Sequence, residues 1–209
     1  MKKNLSLLTA LAAALMSVGA AQAGVVSYEA IVGPSLTDWD PAQAITLQKF
    51  NAALGTLNSV TFTMLGQMVG EVTASGPPQT LTNTLSGSMS FDVPTLAAYG
   101  LNIIKSESAT LSNGMYSGRL AESQTVIDTL ASGFGAFIGT GTFDVDVLAL
   151  ADSAVTGSGN FGGFIDTYAT ARITVSYDYT ANRQAVPEPA SLALVGLALA
   201  AGALSRRRS

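Results

Sequence analysis

Residues 172–179 alternate without a break. Ile173, Val175, Tyr177 and Tyr179 are apolar, and Arg172, Thr174, Ser176 and Asp178 between them are polar. A period of two puts successive side chains on opposite faces of an extended chain, so this segment is a half-buried strand rather than a helix. The same phase recurs along the chain. Val26, Tyr28, Ala30 and Val32 alternate with Ser27, Glu29 and Ile31. Val60, Phe62, Met64 and Met68 oppose Ser59, Thr61, Thr63 and Gln67. Leu81, Leu85, Met89, Phe91 and Val93 face away from Thr82, Thr84, Ser86, Ser88, Ser90 and Asp92, and Phe143, Val145 and Val147 alternate with Asp144 and Asp146. A single sheet of such strands would leave Phe62, Phe91, Val145 and Val175 in water, forfeiting about 1.5–3 kcal/mol for each side chain. The alternation therefore predicts an all-β body of two facing antiparallel layers, a β-sandwich or jelly roll, with a flattened barrel as the runner-up. An outer-membrane barrel fits less well, because the strands lack paired aromatic girdles.

Ser75-Gly76-Pro77-Pro78 separates the second and third runs and breaks any ladder. The simplest expectation is a long hairpin of the two, their apolar side chains on one face, with Gly66, Gly70 and Gly87 marking bends or bulges. Thr95 to Lys105 and Arg119 to Leu130 are open between strand and helix. Ala151 to Gly163, rich in Gly and Ser, reads as a loop.

The two ends follow different physics. Lys2 and Lys3 precede an apolar run from Leu5 to Val18, and Ala21-Gln22-Ala23 supplies the small residues of a peptidase site. This is a secretory signal occupying residues 1–23, to be cut by signal peptidase between Ala23 and Gly24. At the other end, a linker of residues 181–186 leads to Pro187-Glu188-Pro189. An uncharged, Leu- and Ala-rich stretch from Ser191 to Leu204 and then Arg206, Arg207 and Arg208 follow. Leu and Ala favour helix. The stretch is short for a bilayer span, which takes about 20 residues, and the arginines belong on the cytoplasmic side.

The tail in this order resembles a PEP-CTERM sorting signal over residues 187–209. That resemblance implies recognition by an exosortase, processing near the tripeptide, transient anchoring in the inner membrane of a Gram-negative bacterium, and an association with exopolysaccharide, biofilm or surface matrix. Within the body, Leu47-Gln48-Lys49-Phe50-Asn51 and Leu54-Gly55-Thr56-Leu57-Asn58-Ser59-Val60, with Trp39 and Asp40 before them and Ile173 to Tyr177 at the close, are similar to the choice-of-anchor E domain. The likeness spans residues 24–180 and is densest over 36–63. That family carries no assigned chemistry, so it implies no active residues. Physically, Phe50 and Leu54 are expected in the core, and Gly55 permits a tight connection ahead of Val60.

Chemistry is constrained by what is missing. The sequence has no Cys and no His. Thiolate nucleophiles, histidine metal ligands and a Ser-His-Asp triad are therefore excluded. From Gly24 to Val186 the basic residues are Lys49, Lys105, Arg119, Arg172 and Arg183, against 13 acidic ones, a net charge of −8. So acidic a body gives no electrostatic welcome to a phosphate backbone, and nucleic acid is not an expected partner. Asp144 with Asp146 and Asp38 with Asp40 are paired carboxylates that could bind Ca²⁺ or serve glycoside hydrolysis, but neither pair completes a motif and a solvated face is the expectation. No cofactor or metal is expected. Trp39, Tyr99, Tyr116, Tyr168 and Tyr179 are the aromatics available to stack on sugar. The sequence thus points to an exported, non-enzymatic surface or matrix protein, with an extracellular carbohydrate-binding module as the alternative and an acidic-residue hydrolase behind it.

Overall fold

In the computed structural model, which describes residues 23–112 and 114–182, nine strands form two antiparallel sheets. The strands are β1 (Ala23–Leu36), β2 (Gln43–Gln48), β3 (Gly55–Ser75), β4 (Gln79–Asp92), β5 (Tyr99–Leu111), β6 (Met115–Leu130), β7 (Thr142–Ala151), β8 (Ala154–Gly157) and β9 (Gly162–Ala181). A 3-10 turn at Phe134–Phe137 is the only helical element among the described residues, and none there is long and apolar enough to cross a membrane. The expected C-terminal helix, the tripeptide and most of the signal peptide lie outside the described residues. The strands belong to one compact unit, Gln22–Ala181.

Sheet A runs β1-β9-β3-β6. Sheet B runs β2-β7-β4-β5, with β8 pairing β4 beyond the end of β7. The inward faces are those read from the alternation. Val60, Phe62, Met64, Met68, Ile173, Val175 and Tyr177 from sheet A meet Leu85, Met89, Phe91, Val145 and Val147 from sheet B, all of them buried in one core. Phe62, Phe137 and Phe143 pack edge to face, with ring centroids 5.1–6.3 Å apart. Neither ambiguous segment is helical, and both supply strand from Tyr99 and from Arg119 onward. After a turn at residues 94–95 the chain enters β5, and Arg119 to Leu130 lies within β6. The Gly- and Ser-rich stretch 151–163 is interrupted by β8.

The expected hairpin does not form. β3 lies in sheet A between β9 and β6, whereas β4 lies in sheet B. The Ser75-Gly76-Pro77-Pro78 segment carries the chain across the sandwich, with Gly76 N–H donating to Gly114 O at 3.1 Å. The apolar faces of the two strands oppose each other through the core instead of lying side by side. β3 finds its ladder partners about a hundred residues away, in β9, where Val60 pairs Tyr177 and Phe62 pairs Val175.

Gly66, Gly70 and Gly87 are not bulges. The ladders run through all three without a register shift. Each faces inward and makes a hole. A β-carbon on Gly87 would lie 2.4 Å from Met68 Sδ, one on Gly66 2.8 Å from Met89 Sδ, and one on Gly70 2.8 Å from Ile165 Cγ2. The shifts that do occur lie at Val32/Ser35 and Leu57/Ser59. At the first, Gly33 takes φ +88° with no room for a β-carbon beside Ala169 O, so glycine is required. Leu54 is a second correction: it is 40% exposed, while Phe50 is buried. Leu54 lies in the turn before β3, its N–H bonded to Asn51 O, and the start of the ladder at Gly55 leaves it on the solvent side.

Candidate functional site

A recess lies at the seam of the sheets. Residues 36–39 leave β1 and cross towards β2. Thr37 N–H donates to Thr167 O at 2.9 Å, and the N–H groups of Asp38 and Trp39 both reach Ala149 O, at 2.8 and 3.1 Å. Asp38 sits at φ +62°, a conformation that Asp tolerates better than most residues. Its Oδ1 accepts from Ala151 N–H at 3.2 Å, which pins the crossing to the end of β7. On the other side, Thr167 Oγ1 donates to Ser153 Oγ at 2.9 Å, and Ser153 is joined to the backbone of Ser86. The result is an open cavity of about 370 Å³ lined by Leu36, Thr37, Asp38, Ala151, Asp152, Ser153, Ile165, Asp166 and Thr167.

Three carboxylates rim this cleft: Asp38, Asp152 and Asp166. Asp38 lies more than a hundred residues before the other two, which is why residue spacing gave no signal for the set. They do not converge, since no group of three acidic side chains among the described residues is close enough to hold a metal ion. The hydroxyls of Ser153 and Thr167 bond to each other, and no histidine exists in the sequence to activate either. Chemically the cleft offers oxygen acceptors and hydroxyl groups, the set that hydrogen-bonds a polyol.

The expected pairs fall elsewhere. Asp144 and Asp146 do share a side, the exposed outer face of sheet B. Thr46 Oγ1 donates to Asp144 Oδ1 at 2.6 Å, and Asp146 lies in register with Asp92. Neither lines the cleft. Asp38 and Asp40 are separated by the buried Trp39, whose indole N–H donates to Leu36 O at 2.7 Å. Asp38 alone of that pair reaches the cleft.

The aromatics named as sugar platforms are mostly occupied. Trp39 is core. Tyr99 O–H donates to Asp128 Oδ2; burial first, then that hydrogen bond and the carboxylate's charge, push its pKa up to about 12. Tyr116 O–H accepts from the buried Asn83 Nδ2 at 3.4 Å. The Tyr179 ring packs on Phe50 with centroids 5.3 Å apart, and it covers Gly24. Its neighbour Tyr177 donates to Gln48 O at 2.8 Å, and burial raises its pKa far above the usual phenol range. Tyr168 is partly buried on β9. Sequence reasoning missed Phe164, 57% exposed and on the same strand face as Asp166 and Tyr168.

Of the processing residues, Ala23 and Gly24 open β1, opposite Thr180 and Tyr179. Ala21, Pro187, Glu188, Pro189, Arg206, Arg207 and Arg208 lie outside the described residues.

Comparison with known proteins speaks to one end of the chain. Among curated proteins nothing matches. A solved structure of infectious bursal disease virus Gx strain aligns at 12% identity over 86% of this chain and 48% of that one, so the chain spans about half its length; its TM-score of 0.15 is too low to assign a fold by. The model of the PEP-CTERM protein-sorting motif matches residues 185–208. That match supports an exported protein of Gram-negative bacteria, transiently anchored in the membrane and processed by an exosortase.

Proposed function

We propose that this chain is a non-enzymatic surface or matrix protein, displayed outside a Gram-negative cell after an exosortase has processed its tail. The sorting motif at 185–208, beginning a few residues beyond the last strand at Ala181, is the observation that carries this reading. The body is built for display. Its outer faces are rich in Ser and Thr, and some of these hydroxyls bond across strands, Ser27 with Ser176 at 2.8 Å and Thr61 with Thr129 at 3.0 Å. The likeness to the choice-of-anchor E domain agrees with such a role. Trp39, Leu47, Phe50, Leu57 and Val60, from its densest segment, are all core residues here. In this reading signal peptidase removes residues 1–23, and the inner membrane holds the chain only until the tail is processed.

The test is maturation. Replacing Pro187-Glu188-Pro189 with three alanines is expected to leave an unprocessed form in the inner membrane fraction of an exosortase-bearing host. Equal release of the parent and the variant would refute the assignment.

A second reading, binding of exopolysaccharide, is favoured by β9. It presents Phe164, Asp166 and Tyr168 on one face, and Asp166 also rims the cleft. An apolar ring next to hydrogen-bonding oxygens suits a sugar. Retention of the released protein on its host's exopolysaccharide, lost in Phe164→Ala, would support binding. New reducing ends, abolished by changing Asp144 or Asp146, would instead support hydrolysis.

A further inference from the structure

The outer strand of sheet A, β6, is the longest edge of the sandwich, running from Met115 to Leu130 without a proline or a register shift. The opposite edge, β1, is interrupted at Gly33-Pro34, and β2 in sheet B runs only from Gln43 to Gln48. A long, regular edge is a template for another strand. In an antiparallel ladder, alternate residues turn both their N–H and C=O away from the partner strand. On β6 these are the odd-numbered residues, and three of their outward groups are occupied by side chains. Lys105 Nζ, from the neighbouring edge β5, donates to Ala121 O at 3.3 Å. Ser123 N–H donates to Glu122 Oε1 at 3.2 Å, and Thr129 N–H to Asp128 Oδ1 at 2.8 Å. Asp128 is itself held by the Tyr99 hydroxyl.

We infer that the β6 edge is a strand-addition surface for a second copy of this chain, kept closed by the caps from Lys105, Glu122 and Asp128. The occupant follows from self-complementarity. A two-fold axis through Ser123 sets β6 antiparallel to itself, with every residue from Tyr116 to Leu130 opposite a partner. The outward-facing residues then match one another: Ser117 with Thr129, Arg119 with Ile127, and Ala121 with Thr125. No like charges fall directly opposite, since Glu122 pairs Gln124 and Asp128 pairs Gly118, and the two Glu122 carboxylates stand as diagonal neighbours across the axis, a repulsion that adds to the latch. Exposed Ile127, at 63%, is covered by the Arg119 stem of the other copy. The caps therefore act as a latch on pairing between copies.

The test uses the full chain, expressed with both its signals in an exosortase-bearing host and purified in the form that the host releases. Sedimentation equilibrium on the parent is expected to show a monomer. The variant Lys105→Ala/Glu122→Ala/Asp128→Ala is expected to dimerise about tenfold or more tightly. Adding Ser123→Pro should return it to monomer, because that N–H points away from β3 and its loss leaves the internal ladder intact. In the dimer, amide exchange at Ser123, Thr125 and Ile127 should slow. An uncapped variant that stays as monomeric as the parent overturns the inference. So does association that survives Ser123→Pro or leaves those amides exchanging at the parent's rate, and so does a parent already paired through β6.

Discussion

Met68 and Gly87 lie on opposite sheets, and the sulfur of the first fills the space that a side chain on the second would need: a β-carbon there would stand 2.4 Å from Sδ. Met89 stands over Gly66 in the reverse sense. Two methionines and two glycines thus interlock β3 and β4 across the core. A flexible thioether suits such a hole, since it has rotatable bonds to fit the gap and no branch to clash.

Gly87→Ala should therefore destabilise the protein by about 1–3 kcal/mol through overpacking. The new methyl would also approach Leu150 O at 2.7 Å, a backbone atom that cannot turn aside. Combining it with Met68→Ala should cost less than the sum of the two single changes. Urea unfolding of all four forms measures that coupling, and strict additivity would mean that the contact is not made.

Phe62→Ala and Phe91→Ala should each cost about 3–5 kcal/mol, since both rings are fully buried. Leu54→Ala should change stability by less than about 0.5 kcal/mol, as at an ordinary surface position. Equal losses at Leu54 and Phe62 in thermal melts would contradict the placement of the turn before β3.

Two glycines at the same end of sheet A should respond differently. A β-carbon on Gly55 meets Thr180 O at 2.1 Å and Thr180 C at 2.8 Å, whereas the three atoms nearest to one on Gly24 all belong to the Tyr179 side chain, the closest at 2.7 Å. Backbone cannot yield, but a ring can rotate. Gly55→Ala is expected to cost about 1–3 kcal/mol and Gly24→Ala less than about 1 kcal/mol. Mass spectrometry should find Gly24→Ala cleaved after Ala23 as in the parent.

Alkaline titration should show Tyr99 ionising late, near its raised pKa of about 12. An unfolded tyrosine ionises near 10, so the folded state favours the neutral phenol. The resulting stability is fully present below pH 10 and is lost as pH rises through the folded-state value. Asp128→Asn removes the charge beside the phenol and should bring its ionisation to lower pH, read by ultraviolet absorbance of the phenolate.

The strand faces were legible because side-chain direction in an extended chain is a local property. Val60, Phe62 and Met64 announce their face whichever strand pairs with them. The sorting signal was legible for a similar reason: its tripeptide, apolar run and arginines are contiguous and are read by machinery that needs no fold. The choice of sheet was not. Ser75-Gly76-Pro77-Pro78 signals a break, but a hairpin and a crossing between sheets can use the same residues. What decides between them is that β9, about a hundred residues later, pairs with β3 and takes the place that β4 would have held. Long-range packing likewise placed Leu54 outside, turned Gly66 and Gly87 into holes rather than bulges, and gathered Asp38, Asp152 and Asp166 around one cleft. The sequence by itself determined which residues face inward and that the chain carries an export-and-sorting signal. The tertiary structure alone decided which faces meet, because strand partners are selected by the packing of the whole core and by no local sequence.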